Sequence, residues 1–414
     1  MPSDPATFPI GLSVADARSL IEEIAASHRM PIESVKLRDA LDRILAIDID
    51  APRDIPGFVN SAMDGFAVRA RDLPDANTKS FRLRGEILAG SSEPLVVGAD
   101  ECVRITTGAA LPNGADTVVM KENTRTQGDC IMIAAGTAAG ANVRAADDDF
   151  HAHDRGLSRG ARLNPARIAV LAAFGMAEVA TAQRPDAVLL TTGNELVAPG
   201  KPLSFGQIHD SNRYSLGGLL QQHGATLRRH ERIADNPELL RDALLRAGDD
   251  ADIVVTSGGV SVGEADFMPQ LIAQIGEVVF WKVRMKPGMP MLFGRIGRAL
   301  VFALPGNPVS GFATFLALVK PAIDAMCSAT PSAQSLFARL TATIHKRHSR
   351  AEFQRARLSS DATGTLLATP NRAQGSGMLH SIVDADALIV LPESVHDFAA
   401  GDVVEVMPLP GWPR

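Results

Sequence analysis

The chain has 414 residues, 41 lysines and arginines against 47 aspartates and glutamates, a formal charge of −6, and three cysteines. At roughly 150 residues per domain this length holds about three domains, each large enough to bury a core, and the absence of a long basic run excludes a nonspecific nucleic-acid binder. Cys102, Cys130 and Cys327 are far apart and form no CxxC pair, which excludes a disulfide framework and marks them as ordinary buried thiols.

The opening MPSDPATFPIGLSV lacks a basic region followed by an apolar core, and no apolar stretch is expected to reach the ~18 residues of a spanning helix. A soluble cytoplasmic protein, with neither membrane nor nucleic acid as partner, is the expectation. Over residues 13–43, Ala15, Leu20, Ile21, Ile24, Val35, Leu37 and Leu41 predict helices capped by Ser13 and broken at Pro31. From about residue 49 to 143, short β-branched runs at 102–106, 117–120 and 130–133 between Gly, Pro and Asn turns predict a small β-rich module. Residues 164–175 return to helix, with Ile168, Leu171, Ala172 and Phe174 on one side, and Pro185 opens an alternation of strand and helix that reaches Lys320. After Thr330, runs at 340–344, 353–358, 387–391 and 403–407 predict a C-terminal β module. The sequence shows no internal repeat and no low-complexity tract.

The region from 185 to 320 carries the chemistry. Three of its predicted strands, 187–191, 253–256 and 300–304, end in polar turns: Thr192-Gly193-Asn194-Glu195, the run SGGVSVGEAD at 257–266, and Pro305-Gly306-Asn307-Pro308. In an open parallel sheet the carboxyl ends of strands line one edge, where ligands bind, so these turns are expected around one cleft. Ser257, Gly258, Gly259, Ser261 and Gly263 form a loop whose backbone can approach an oxyanion closely, and the N–H groups of the following helix favour phosphate there. Glu195 and Asp266, with Asp210 and Asp235 at the same rim, set carboxylates beside a phosphate loop, and that combination implies a divalent cation, Mg2+.

Plainer readings compete with each element. A Gly-rich turn after a strand binds nothing in about half of cases, so the weight rests on three such turns together. Asp210-Ser211-Asn212 serves equally well as a helix cap for 214–222 or as a ligand contact. LPGNP alone is a rigid connector, Met63-Asp64-Gly65 alone is a turn, and Lys282 and Lys286 are surface lysines unless Pro287-Gly288 holds the second in place. The ten histidines offer no HExxH or paired metal spacing, and neither a GxSxG elbow nor a complete Walker loop occurs.

Taken in order, residues 60–68 (NSAMDGFAV), 105–109 (ITTGA), 114–119 (GADTVV), 192–196 (TGNEL), 257–266, Lys286-Pro287-Gly288, 304–310 (LPGNPVS) and 374–377 (QGSG) resemble bacterial MoeA, the molybdopterin molybdenumtransferase family related to the gephyrin E domain. The likeness spans nearly the whole chain. It implies an α/β and β multidomain protein: a doubly wound α/β domain of the molybdopterin-adenylylating type at 185–328, a discontinuous helical linker domain at 1–50 and 149–184, an inserted β-rich module at 51–148 with the MDG motif, and a C-terminal β-barrel-like module at 329–414. It also implies insertion of molybdenum from molybdate into adenylylated molybdopterin with Mg2+, releasing AMP, by a homodimer whose cleft takes the MDG module from the other subunit, with a molybdopterin-adenylylating protein as upstream donor.

Residue by residue, the resemblance places Asp64, Thr107, Asp149, Glu195, Asp235 and Asp266 in an acidic and polar catalytic cleft, with Glu195, Asp235 and Asp266 as ligands to Mg2+. Ser257, Gly258, Gly259, Ser261, Gly263, Asp210, Asn212, Lys282, Pro305 and Asn307 are its substrate-binding candidates. Lys286, Ser310, Arg350 and Ser376 are those for molybdate, with Arg350 preferred to Arg355 by motif position. Two positions depart from the family pattern: Met289 stands where a second lysine is usual, and Asp147 replaces a glycine, leaving Asp147, Asp148 and Asp149 in a row with spacing in favour of the last. A molybdopterin adenylyltransferase and a non-enzymatic scaffold on the same fold are the alternatives, and the extra modules and the retained acids speak against them respectively.

Overall fold

The computed structural model describes residues 8–91, 95–259, 267–330 and 335–412. The described residues within 1–47, 159–164 and 179–414 form one compact unit, and those within 48–158 and 165–178 form another.

The larger unit is organised on a seven-stranded sheet. Four strands run parallel side by side, Thr226–Ile233, Asp186–Thr192, Ile253–Ser257 and Ala299–Leu304; Leu292–Ile296 follows antiparallel, then Glu277–Val283, and Ile10–Leu12 closes the edge. The central strands are continuous apolar runs because both faces are covered. Leu189, Val255, Phe293, Phe302 and Leu304 pack under helices Val14–Ser27, Asn212–Gln222 and the long helix from Pro308. Val188, Leu190, Val254, Leu292 and Val301 face helices Pro237–Asp250 and Met268–Ile275 on the other side. This alternation of successive residues between two cores is the period of two that a strand imposes.

Ser13 caps the first helix, its hydroxyl accepting from the Asp16 amide, as its position predicts. The predicted helix beyond Pro31 is absent. Ile32–Lys36 is instead a strand paired with Glu178–Ala182, followed by a single 3-10 turn at Leu37–Asp39. The expectation that no apolar stretch reaches spanning length also needs correction. Pro308–Met326 forms 19 residues of unbroken helix, including a π-helical stretch at Phe315–Val319, with a mean hydropathy of 1.4. Its apolar character is that of a core helix, since 78% of its apolar window is buried against the sheet.

The C-terminal strands close into a five-stranded barrel: Ala351–Ser360, Leu366–Pro370, Leu336–Leu340, Val403–Pro408 and Ala387–Leu391, the last pairing back to the first. A short strand, Met285–Lys286, adds in parallel to Ala351 and Glu352 and ties the barrel to the α/β sheet.

The smaller unit carries a six-stranded sheet in the order Thr117–Met120, Gly65–Val68, Glu101–Ile105, Lys79–Ile87, Cys130–Ile133, Thr124–Gln127. Phe66, Val68, Phe81 and Ile131 fill one face, and Ala67, Val103, Ile105 and Val118 the other. Cys102 and Cys327 are buried free thiols and Cys130 is half-buried; burial pushes the first two up to about 12 and about 11, so neither is a nucleophile.

Candidate functional site

Register in the sheet dictates where the predicted turns emerge. Thr191, Ser257 and Leu304 are lateral neighbours on adjacent parallel strands, so the chain leaves all three at the same level. The turns after them line one cavity of about 820 Å3, together with Asp210, Asn212, Asp235, Phe267 and the Gly377–Leu379 segment of the barrel region. That volume suits a small-molecule ligand of several hundred daltons.

Asn212, 8% exposed at the start of its helix, fastens two of the turns. Its side-chain amide donates 2.8 Å to Ser257 Oγ and 2.7 Å to the Gly306 carbonyl. The turns are in near contact: a Cβ on Gly306 would lie 3.6 Å from Gly258 Cα, and one on Gly258, at φ +100°, would lie 2.5 Å from the Thr192 carbonyl oxygen. Gly258 is therefore required both by its left-handed backbone and by the strand beside it. Asn194 and Asp235 exchange hydrogen bonds, the Asn194 amide to Asp235 Oδ2 at 3.0 Å and the Asp235 amide to Asn194 Oδ1 at 3.2 Å. This sets the exposed carboxylates of Glu195 and Asp235 on the cavity wall.

Asp210 lines the cavity and also braces its helix: one oxygen accepts from the Thr191 hydroxyl at 2.6 Å and the other from the Arg213 amide at 3.1 Å. Asn307 donates to Ser376 Oγ at 3.1 Å, and the Val309 amide to the Ser376 carbonyl at 3.0 Å, so a barrel loop satisfies the N-terminus of the Pro308 helix.

None of the candidates assigned to molybdate is among the residues lining this cavity, and Lys286 and Arg350 meet at a separate corner around the 285–290 loop. The Lys286–Pro287 peptide is cis, and the loop runs on to Pro290 at the cavity wall. Lys286 Nζ lies 3.1 Å from Glu352 Oε1, Arg350 Nη1 lies 3.6 Å from Met289 Sδ, and Ser310 is buried on the first helical turn. Arg355 is structural: its buried guanidinium donates to Ser381 and to the carbonyls of Ala373 and Gly375. Lys282 is elsewhere, its ammonium 3.9 Å over the Trp281 ring. Glu352, His348 and Lys346 were not legible as neighbours of this corner, because only the strand pairing of 285–286 with 351–352 brings them there.

Asp64, Thr107 and Asp149 belong to the smaller unit. Thr107 donates to Asp64 Oδ1 from its amide at 2.8 Å and its hydroxyl at 2.9 Å, with Lys121 Nζ 4.0 Å from the other oxygen. These hydrogen bonds, the amide first, lower the carboxyl pKa below its ordinary range. Gly65 after it is obligatory because a Cβ there would meet the Val119 carbonyl at 2.0 Å. Of the acidic run, Asp147 pairs with His151 at 3.1 Å, while Asp148 and Asp149 are exposed.

Ser261, Gly263 and Asp266 lie outside the described residues. Among the described residues no three His, Cys, Asp or Glu side chains come together as a metal cage. Glu195 and Asp235 nevertheless suit Mg2+, which takes oxygen donors and is held by one or two carboxylates plus substrate phosphates rather than by an all-protein cage.

Comparison with known proteins agrees with this architecture along the chain. Residues 12–175 match the MoeA N-terminal region (domain I and II), 188–325 a probable molybdopterin binding domain, and 338–409 the MoeA C-terminal region (domain IV). A Haemophilus influenzae protein named molybdopterin molybdenumtransferase is 36% identical over 381 residues, covering 91% of this chain and 93% of the relative. One of the same name from Nostoc is 33% identical over 409 residues, covering 96% and 94%. The crystal structure of the molybdopterin biosynthesis MoeA protein of Pyrococcus horikoshii OT3 superposes with a TM-score of 0.81 at 27% identity, covering 96% of this chain and all of that one. With its three regions in order and its relatives matched over nearly their full length, the chain belongs to the MoeA family.

Proposed function

We propose that this protein inserts molybdenum from molybdate into adenylylated molybdopterin and releases AMP, as a cytoplasmic homodimer of four parts bounded near residues 50, 148, 184 and 328. The observation that carries this is the convergence of three strand-end turns on one cavity whose wall is completed by the barrel loop at Gly377. Asn212 and Gly258 hold the turn geometry, so the backbone N–H of Gly259 is the one offered to the substrate phosphates, that of Gly258 donating to the Leu304 carbonyl. Lys286, Arg350 and Ser376 take the oxyanion beside the pterin sulfurs, and positioning with charge neutralisation supplies most of the rate. A water oxygen adds to phosphorus as the bridging phosphoanhydride bond breaks and AMP leaves, and the two pterin thiols displace one oxygen ligand of molybdenum, their two protons carrying it away as water.

Glu195 and Asp235, with Asp266, would hold Mg2+, whose contribution when bound is to draw charge from the phosphoryl oxygens. Asp64, Thr107 and Asp149 act from a second copy of the chain, and a molybdopterin-adenylylating protein supplies the substrate. The test is incubation of purified protein with adenylylated molybdopterin, molybdate and Mg2+ while following AMP. Molybdate-dependent AMP release is the expected result. Consumption of ATP with free molybdopterin would instead identify an adenylyltransferase, and neither activity would leave a scaffold.

A further inference from the structure

The corner around Lys286 contains a buried counter-charge that the reaction as described does not use. The parallel pairing of Met285–Lys286 with Ala351–Glu352 sets Lys286 beside Glu352. Glu352 is 5% exposed; Oε1 lies 3.1 Å from Lys286 Nζ, and Oε2 lies 3.2 Å from His348 Nε2 without hydrogen-bond geometry. Lys286 keeps 45% of its side chain accessible, so its ammonium spans the buried carboxylate and the open side of the corner.

Other cations nearby are engaged differently. Lys346 donates to the carbonyls of Arg350, Pro392 and Glu393, Arg355 to those of Ala373 and Gly375, and Arg350 reaches Met289. Burial, ahead of its charged neighbours, keeps the His348 pKa below the ordinary histidine range, so this ring contributes little positive charge at neutral pH. Direct ion pairing to Glu352 therefore falls on Lys286, and a buried carboxylate is retained only when it is so paired. An incoming oxyanion must share that ammonium with Glu352.

We propose that Glu352 is a positioning residue that sets how tightly Lys286 holds the oxyanion, fixing the ammonium at the strand junction while its opposing charge keeps the oxyanion exchangeable. This rests on the reading of Lys286 as an oxyanion contact. It extends that reading to a residue that never touches the substrate.

The test is calorimetric titration of the full-length protein with sodium molybdate, alongside KM values for molybdate and for the adenylylated pterin. Glu352→Gln should tighten molybdate binding about three- to tenfold, less at high salt, and leave the pterin KM unchanged, because the change is a Coulombic one confined to the oxyanion. Glu352→Asp, which retains the charge, should stay near wild type. Should Glu352→Gln fail to fold, Glu352→Met, of similar length and without charge, is compared with the wild type, so that Lys286 is present on both sides. Glu352→Met should likewise bind molybdate more tightly. Equal or weaker binding on removing the carboxylate, in either comparison, overturns the proposal. Absence of molybdate binding by the wild type counts against the reading of Lys286 as well, whereas wild-type binding with indifferent variants counts against Glu352 alone.

Discussion

Thr107 grips one oxygen of the Asp64 carboxylate with both its amide and its hydroxyl, at 2.8 and 2.9 Å. The lowered pKa means that Asp64 stays ionised to a more acidic pH than a free aspartate, and whatever stability it gives is present above its ordinary pKa and lost as pH falls through the folded one. Thr107→Val removes the hydroxyl and keeps the amide, so the Asp64 titration should move up toward the ordinary range in carboxyl-detected NMR. If Asp64 acts in the reaction as proposed, Asp64→Asn should lower AMP release at least about tenfold, with only a small fall in melting temperature because the carboxylate is exposed.

Asn212 ties two turns from below. Asn212→Ala leaves Ser257 Oγ and the Gly306 carbonyl without their donor, a loss of about 2–6 kcal/mol if each deserted group costs 1–3. Denaturant unfolding should show this together with a raised KM for the pterin substrate. An unchanged KM would show that the turns keep their arrangement without the bridge.

Gly258→Ala combines a disfavoured φ with a Cβ forced against the Thr192 carbonyl. Gly200, at φ +85° with nothing near its missing Cβ, provides the control. We expect Gly200→Ala to cost about 1 kcal/mol and Gly258→Ala at least about twice that, with loss of activity only in the latter. Equal costs would mean that the loop relaxes away from the strand.

His223 makes stability depend on acid. It closes the helix that begins at Asn212, its Nε2 is buried without a partner, and burial first, then Lys320, depresses its pKa from 6.5 to about 4. Above pH 6.5 the ring is neutral in both states; between 6.5 and about 4 the unfolded chain takes up the proton and the folded chain does not. The protein should therefore lose roughly 3 kcal/mol across that window. Urea unfolding at stepped pH should show a weaker slope there in His223→Phe.

Met289 carries no charge where it meets Arg350. Met289→Lys adds a cation for the oxyanion at the expense of repulsion with Arg350, and the half-saturating molybdate concentration for AMP release should fall severalfold. No change would place Met289 outside the oxyanion's reach.

The strand ends at Thr192, Ser257 and Leu304 were legible because each apolar run stops at a polar, Gly-containing turn, and a parallel sheet brings such ends to one edge. The strand at Ile32–Lys36 was not. Its partner, Glu178–Ala182, lies far along the chain, and IESVK by itself fits a helix as well as an edge strand. Glu352 and His348 escaped notice for the same reason, since their nearness to Lys286 is created by pairing between distant segments. Asp210 shows the converse case: residue type indicated both of its options, and the structure gives it the hydroxyl of Thr191 and the amide of Arg213 as partners while leaving it on the cavity wall.

The bond from the Val309 amide to the Ser376 carbonyl has an evolutionary corollary. A barrel that plugs the start of a core helix cannot be shuffled, shortened or replaced as a detachable module, because the sheet behind it would lose a stopper along with a neighbour. The length of the 374–377 loop is thus constrained by the core helix as much as by the barrel, whereas its composition is coupled to the helix only where the Ser376 hydroxyl accepts from Asn307.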